Sequence, residues 1–258
     1  MPAAPPGGTR WHSPVAETSE PTSVLAFLAR AARTIPPGTP VFAGFNWPIL
    51  AVRVARRLGT GVSECYEAGA VVGPAPATLP SSSTDYASYA DEVSWRGSTL
   101  DLLALVPRLA AVILDASTVD LRGCVNSFGE GTTFRSAGGG GSADVAARAR
   151  TLLLLHGGGD VTRIVARVTA VTAAPHPEAS VRLITRWGSV RLGADPEVLD
   201  VVDGPAGQTF LDHLSGLGAA TAGAAPVAAV HVEEERAASA VLTEAAGRGY
   251  RAAASLRQ

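Results

Sequence analysis

The spacing of apolar residues along the chain alternates between the period of a helix and that of a buried strand. Residues 1–22 are rich in Pro, Gly, Ser and Thr and lack periodicity, which predicts a disordered arm. Pattern begins at Ser23, a residue suited to capping a helix whose apolar stripe is Val24, Leu25, Leu28, Ala31 and Ala32. Pro36-Pro37-Gly38 stops it, and Pro40 to Gly44 predicts a short strand. Phe45-Asn46-Trp47 is the following turn, and Pro48 suits the first turn of the next helix. That helix turns Ile49, Leu50, Val52, Val54, Ala55 and Leu58 inward and Arg53, Arg56 and Arg57 outward. A second strand then leads to Cys65-Tyr66-Glu67-Ala68-Gly69.

Strand, turn, helix, strand is βαβ logic. It predicts a parallel sheet with ligands at the carboxyl ends of its strands, where Asn46 and Glu67 both fall. The rest reads in the same way. A long irregular loop spans 73–99, a leucine-rich helix 99–110 and a buried strand 111–114. Asp120 to Gly123 is a tight turn. The run Gly138-Gly139-Gly140-Gly141 opens a helix over 143–149, and 151–155 is a wholly apolar strand. Residues 161–171 alternate as a strand, 180–185 and 188–192 read as a hairpin, and 199–202 as a further strand. A helix over 209–217, a strand over 227–232 and a last helix from Glu233, with acids at its N-terminus, complete the pattern.

Composition narrows the chemistry. The 258 residues, 47% of them hydrophobic, suit one α/β domain, placed here at 23–258. All 21 basic residues are Arg, so Schiff-base chemistry on a lysine of this chain is excluded. The heavy use of Ala, Gly and Arg matches a high-GC bacterial genome. Net charge is −2 without a basic block, which argues against nucleic acid as a partner. Cys65 and Cys124 lack CxxC spacing, and the five histidines lack metal-ligand spacing, so no metal is expected. No signal peptide or membrane-length apolar run stands out, and the expectation is a cytoplasmic protein.

Two stretches could carry chemistry. Glu67 is an acid at a strand end; the plain alternative is a turn or cap residue. Gly138 to Gly141 could offer backbone N–H groups to an anion or a carbonyl oxygen; the plain alternative is a flexible linker. It is no P-loop, because no Lys-Ser/Thr follows it. Cys65 could line the same site or be a buried structural thiol. Ser142 has no assignable His or Asp for a triad.

Five blocks in order resemble the B (β) subunit of family I CoA-transferases, of the glutaconate CoA-transferase type. They are Gly44 to Leu58 (GFNWPILAVRVARRL), Tyr66 to Val72 (YEAGAVV), Val119 to Ser127 (VDLRGCVNS), Gly138 to Ala146 (GGGGSADVA) and Leu183 to Leu192 (LITRWGSVRL). The resemblance covers roughly residues 22–220. It implies an open, mostly parallel sheet with helices on both faces, of the CoA-transferase and ribose-phosphate-isomerase type. It also implies ping-pong transfer of CoA between an acyl-CoA and a carboxylic acid. By position Glu67 is the nucleophile. Gly138, Gly139, Gly140 and Gly141 are the oxyanion or CoA site, and Asn46 helps orient substrate. No cofactor is bound permanently; the coenzyme A thioester is substrate. An A (α) subunit is the expected partner, in a heterodimer or heterotetramer, with a homo-oligomer as the alternative. The loop at 73–99, Trp95 and Trp187 are candidate interface elements, with simple core or surface packing as the equal alternative for each. The sequence departs from the family pattern at Cys124, Ala143, Arg186-Trp187, Val202 to Pro205 and His156 to Gly159, which suggests a specialised pathway. A thioester or carbon–carbon bond hydrolase or lyase on the same fold, and a non-catalytic subunit, are the competing expectations.

Overall fold

Each inner strand of the sheet sends alternate residues to two different cores, and this two-faced burial is why the apolar runs are nearly continuous. Val41, Ala43, Ala111, Ile113, Leu153 and Leu155 join one core; Phe42, Val112, Leu114, Leu152 and Leu154 join the other. The computed structural model describes residues 22–73, 78–82, 84–85, 93–129 and 138–253. The arm expected over 1–22 lies outside these residues except for Thr22, which accompanies the main body by donating to the Arg186 carbonyl from both its N–H and its hydroxyl.

The first core is closed by α1 (Val24–Arg33), α2 (Trp47–Arg57) and α6 (Val232–Gly247). Ser23 caps α1, its Oγ accepting from the Ala26 N–H at 3.1 Å. The second core is closed by α3 (Thr99–Leu105), α4 (Ser142–Ala146) and α5 (Pro205–Leu217). Ser98 and Asp101 form a capping box that starts α3, and Pro107 turns its end into a short 3₁₀ segment, Val106–Arg108.

Among the described residues ten strands form one sheet. Its parallel heart is β2 (Ser63–Tyr66), β1 (Pro40–Ala43), β5 (Ala111–Asp115), β8 (Thr151–His156) and β10 (Ser180–Thr185), side by side in that order. Antiparallel pairs flank it. On one side lie β3 (Ala70–Val72) and β4 (Val93–Arg96), on the other β11 (Gly188–Leu192) and β12 (Glu197–Val201), which pairs in parallel with β13 (Ala225–Pro226). A smaller sheet joins β7 (Val125–Asn126), β6 (Thr118–Asp120) and β9 (Ile164–Val165). The expected open, mostly parallel sheet with helices on both faces is the observed one, extended by antiparallel margins.

Several expectations need correction. The loop over 73–99 contains β4, which pairs with β3; residues 74–77, 83 and 86–92 of it lie outside the described residues. The alternation over 161–171 yields a 3₁₀ turn and the two-residue β9, because Ile164 alone of that stretch is buried and the Val168 N–H is drawn to Asp120 Oδ2 at 3.3 Å. Residues 227–232 are not a strand, since the carbonyls of Ala228 and Ala229 are taken by Arg33. Trp187 is a core residue, its ring stacked between His156 and Phe210. Of the readings open for Trp187, core packing is the observed one.

The largest correction concerns α2. Arg53 and Arg56 do not face outward; they are 4% and 6% exposed. Both meet Glu64 on β2, a residue without any exposed surface, at 3.3 and 3.5 Å. Arg53 also bonds the Tyr66 hydroxyl, and Arg56 donates to the carbonyls of Val62, Val72 and Gly73. A buried carboxylate needs cations beside it, and this cluster supplies two, each held in place by its own hydrogen bonds. It fastens α2 to the strand that delivers Glu67.

Candidate active site

Glu67 is placed by a hairpin. β2 and β3 pair Tyr66 with Ala70, leaving Glu67-Ala68-Gly69 as a three-residue loop. The Gly69 N–H returns to the Tyr66 carbonyl at 3.0 Å with φ at +86°, the left-handed position such loops require. A Cβ at Gly69 would lie 2.1 Å from the Gly97 carbonyl oxygen, so β4 closes over this turn. The side chain of Glu67 is half-buried and reaches the glycine run, where Oε1 accepts the Gly141 N–H at 3.1 Å. A Cβ on Gly141 would stand 2.5 Å from that same oxygen. The glycines thus permit close approach of backbone to carboxylate. Gly138 and Gly140 also hold positive φ, 102° and 53°.

The residues proposed from sequence converge. Glu67, Asn46 and Gly138 to Gly141 all line one cavity of about 660 Å³ at the carboxyl ends of the parallel strands. This is where an open α/β sheet places its ligands. Asn46 has φ at +77°, the one non-glycine residue with positive φ among those described. Its side chain is held at both ends: Nδ2 donates to Asp115 Oδ2 at 2.9 Å, and Oδ1 accepts the Ala252 N–H at 3.1 Å. A strained residue fixed this firmly is a mark of functional geometry.

Asp115, Arg163 and Arg251, which sequence reasoning missed, also line the cavity, as does Ser142, weighed from the sequence only as a serine without triad partners. Asp115 ends β5, so the strand-end rule that picked out Asn46 and Glu67 could have found it too. Burial raises its carboxyl above the ordinary aspartate value, and the Asn46 hydrogen bond pulls the other way. Arg251 lies far along the chain in a segment of no recognisable pattern, and nothing in the sequence pointed to it. It arrives because the Tyr250 hydroxyl bonds the Pro80 carbonyl and Ala252 bonds Asn46. The Ser142 hydroxyl is buried with no hydrogen-bond partner among the described residues.

Other candidates separate from the cavity. Cys65 is wholly buried in the second core, and burial pushes its thiol up to about 12. Asp120, within the VDLRGCVNS block, spends its carboxylate on the N–H groups of Arg122, Cys124 and Val168, so its work is to shape that turn. Asn126 of the same block faces the cavity and bonds the Gly129 carbonyl at 2.9 Å. Among the described residues no three His, Cys, Asp or Glu side chains gather as a metal site, and no helix is long and apolar enough to cross a membrane.

Comparison with known proteins rests on structure. No family model matches the chain, and no curated protein matches it by sequence. Solved structures do. Glutaconate coenzyme A-transferase from Acidaminococcus fermentans superposes with a TM-score of 0.69 at 14% identity, over 88% of this chain and 96% of that one. The fold is CoA-transferase-like. The decarboxylase AibA/AibB gives 0.66 at 24% identity, over 84% and 93% of the two chains. The acyl-CoA transferase YdiF from Escherichia coli O157:H7, as the apoenzyme, gives 0.63 at 14% identity, over 84% of this chain and 44% of that longer one.

Proposed function

We propose that the chain is the B-type subunit of a CoA-transferase that moves CoA between an acyl-CoA and a carboxylic acid, with Glu67 as nucleophile. The observation that carries this reading is the Gly141 N–H on Glu67 Oε1, inside the strand-end cavity. One carboxylate oxygen is anchored by a backbone donor and the other is left to attack. In the first step Oε2 attacks the thioester carbonyl carbon, the C–S bond breaks, and the CoA thiolate leaves. The resulting acyl-glutamyl anhydride is attacked by the thiolate at the Glu67 carbonyl, which frees the first carboxylate and leaves a Glu67–CoA thioester. The acceptor acid repeats the two steps in reverse and departs as its own CoA thioester. Backbone N–H groups of the glycine run stabilise the oxyanions formed on the way. Arg163 and Arg251 contribute positive charge at the cavity wall for the anionic substrates. The cofactor-like partner is the CoA thioester itself, as substrate.

A second subunit of A type completes the assembly in this proposal. The joint name AibA/AibB of one structural neighbour supports a two-component enzyme. The departures in the glycine loop and after β8 favour a specialised acyl group.

The test is intact-mass analysis after incubation with a set of acyl-CoAs, with and without the A-type protein. The expected result is a CoA adduct on Glu67 that is absent in Glu67→Gln. Turnover that persists in Glu67→Gln would sink the proposal.

A second reading, carbon–carbon bond cleavage, is favoured by one observation. Asp115 lines the cavity with its carboxyl raised by burial above the ordinary aspartate value, the direction a proton donor to a carbanion needs, and one structural neighbour is a decarboxylase. Release of CO₂ from a carboxylated acyl-CoA, without any adduct, would select it.

A further inference from the structure

A second pocket of about 240 Å³ shares no lining residue with the strand-end cavity. It lies between the last turn of α1, strands β10 to β12, and the segment at Val227-Ala228. Three guanidiniums border it, from Arg30, Arg33 and Arg182. Arg33 is saturated, gripping Glu234 and the carbonyls of Ala228 and Ala229. Arg30 and Arg182 share Asp200, each at 3.4 Å, a long separation for an ion pair that must hold two cations. The Asp200 oxygen nearer Arg182 also accepts the Ser189 hydroxyl at 2.5 Å, and Arg182 donates to that hydroxyl at 3.0 Å.

Three cations therefore face two carboxylates, Asp200 and Glu234, and one positive charge is left over among the described residues. Arg30 is 7% exposed, and among the described residues its buried Nη1 has no hydrogen-bond partner. Arg182 Nε is in the same condition. Burial draws the Arg30 guanidinium below its ordinary value, Asp200 opposes this, and the like charges of Arg33 and Arg182 add to it. Buried donors without partners are costly. The rest of the wall is Thr34 and the apolar side chains of Ile184, Val227 and Ala228.

We propose that this pocket is a second ligand site, for a small oxyanion, carboxylate or phosphate, with a short apolar portion. The anion would receive hydrogen bonds from Arg30 and Arg182, which small side-chain rotations can turn toward it, and would cancel the surplus charge. Ile184 and Val227 would cover its apolar part. The site is independent of the proposed reaction.

The experiment is thermal melting and calorimetric titration of the full chain with inorganic phosphate, acetate and butyrate, against chloride at matched ionic strength. Phosphate or a carboxylate is expected to stabilise the protein beyond chloride. Acetate and butyrate together separate a carboxylate site from a phosphate site, and a gain for butyrate locates the apolar wall. Arg182→Gln, whose side chain is 38% exposed, should weaken binding about tenfold, the equivalent of one charge-assisted hydrogen bond. Asp200→Asn should tighten it, because a competing carboxylate is removed. Arg251→Gln, in the other cavity, should leave it unchanged. Arg30→Met is the more severe variant, and if it fails to fold, Arg182→Gln and Asp200→Asn decide. Stabilisation no greater than that of chloride, equal binding in Arg182→Gln, or loss in Arg251→Gln in its place would overturn the assignment.

Discussion

Two glutamates three residues apart on one hairpin meet opposite fates. Glu64 is sealed inside the protein between Arg53 and Arg56, with no surface exposed. Glu67 stands at the strand end, half-buried, with a single backbone N–H on one oxygen. The first carboxylate is neutralised by two cations and has nothing left with which to react. The second is oriented without being neutralised. Under the proposed mechanism, orientation by a neutral dipole rather than by a cation is what would leave Glu67 nucleophilic.

The contrast breaks most visibly with Glu67→Gln. Under the proposed mechanism this change should lower transfer roughly a thousandfold or more, since no covalent intermediate can form. The melting temperature should scarcely move, which a thermal scan beside the activity assay would check. Glu64→Gln should show the reverse pattern. It leaves two buried guanidiniums without their carboxylate and should cost about 3 kcal/mol in denaturant unfolding, while molecules that remain folded keep their activity. A Glu64→Gln protein as stable as the wild type would refute the structural role given to that cluster.

Gly141→Ala sharpens the comparison from the other side of the contact. The backbone at Gly141 has φ of −74°, so alanine fits the chain; only the Cβ, 2.5 Å from the Glu67 carboxylate, is out of place. Activity should fall about ten- to a hundredfold with stability nearly intact. The smallest effect concerns Asp115. Its carboxyl is raised in the folded protein, so its contribution to stability is present below the unfolded value of about 3.9 and is lost as pH rises through the folded one. The difference in unfolding free energy between the wild type and Asp115→Asn, measured across that range, should therefore shift against the wild type as pH climbs.

Legibility followed the range of the interactions involved. The cap at Ser23, the hairpin over 180–192 and the apolar strands at 111–115 and 151–156 depend on neighbours in sequence, and they read correctly. Glu67 and the glycine run were both visible as local signals. That they touch was not, because the contact spans 74 positions. Arg53 and Arg56 were read outward because charge on a helix is usually solvated; the partner that buries them is on another element. Arg251 carried no signal at all. Its place in the cavity is set by Tyr250 and Ala252, whose own partners lie 170 and 206 residues earlier.

That last attachment bears on how the protein is made. Synthesis runs from the N-terminus, so β1, β2 and the glycine run can emerge and pair long before residues 249–253 leave the ribosome. Until then Asn46 lacks the Ala252 N–H, and the cavity lacks the wall that Gly249 and Arg251 provide. A chain synthesised only as far as residue 248 therefore has Glu67 and the glycine run but a cavity still open on the side that Gly249 and Arg251 line.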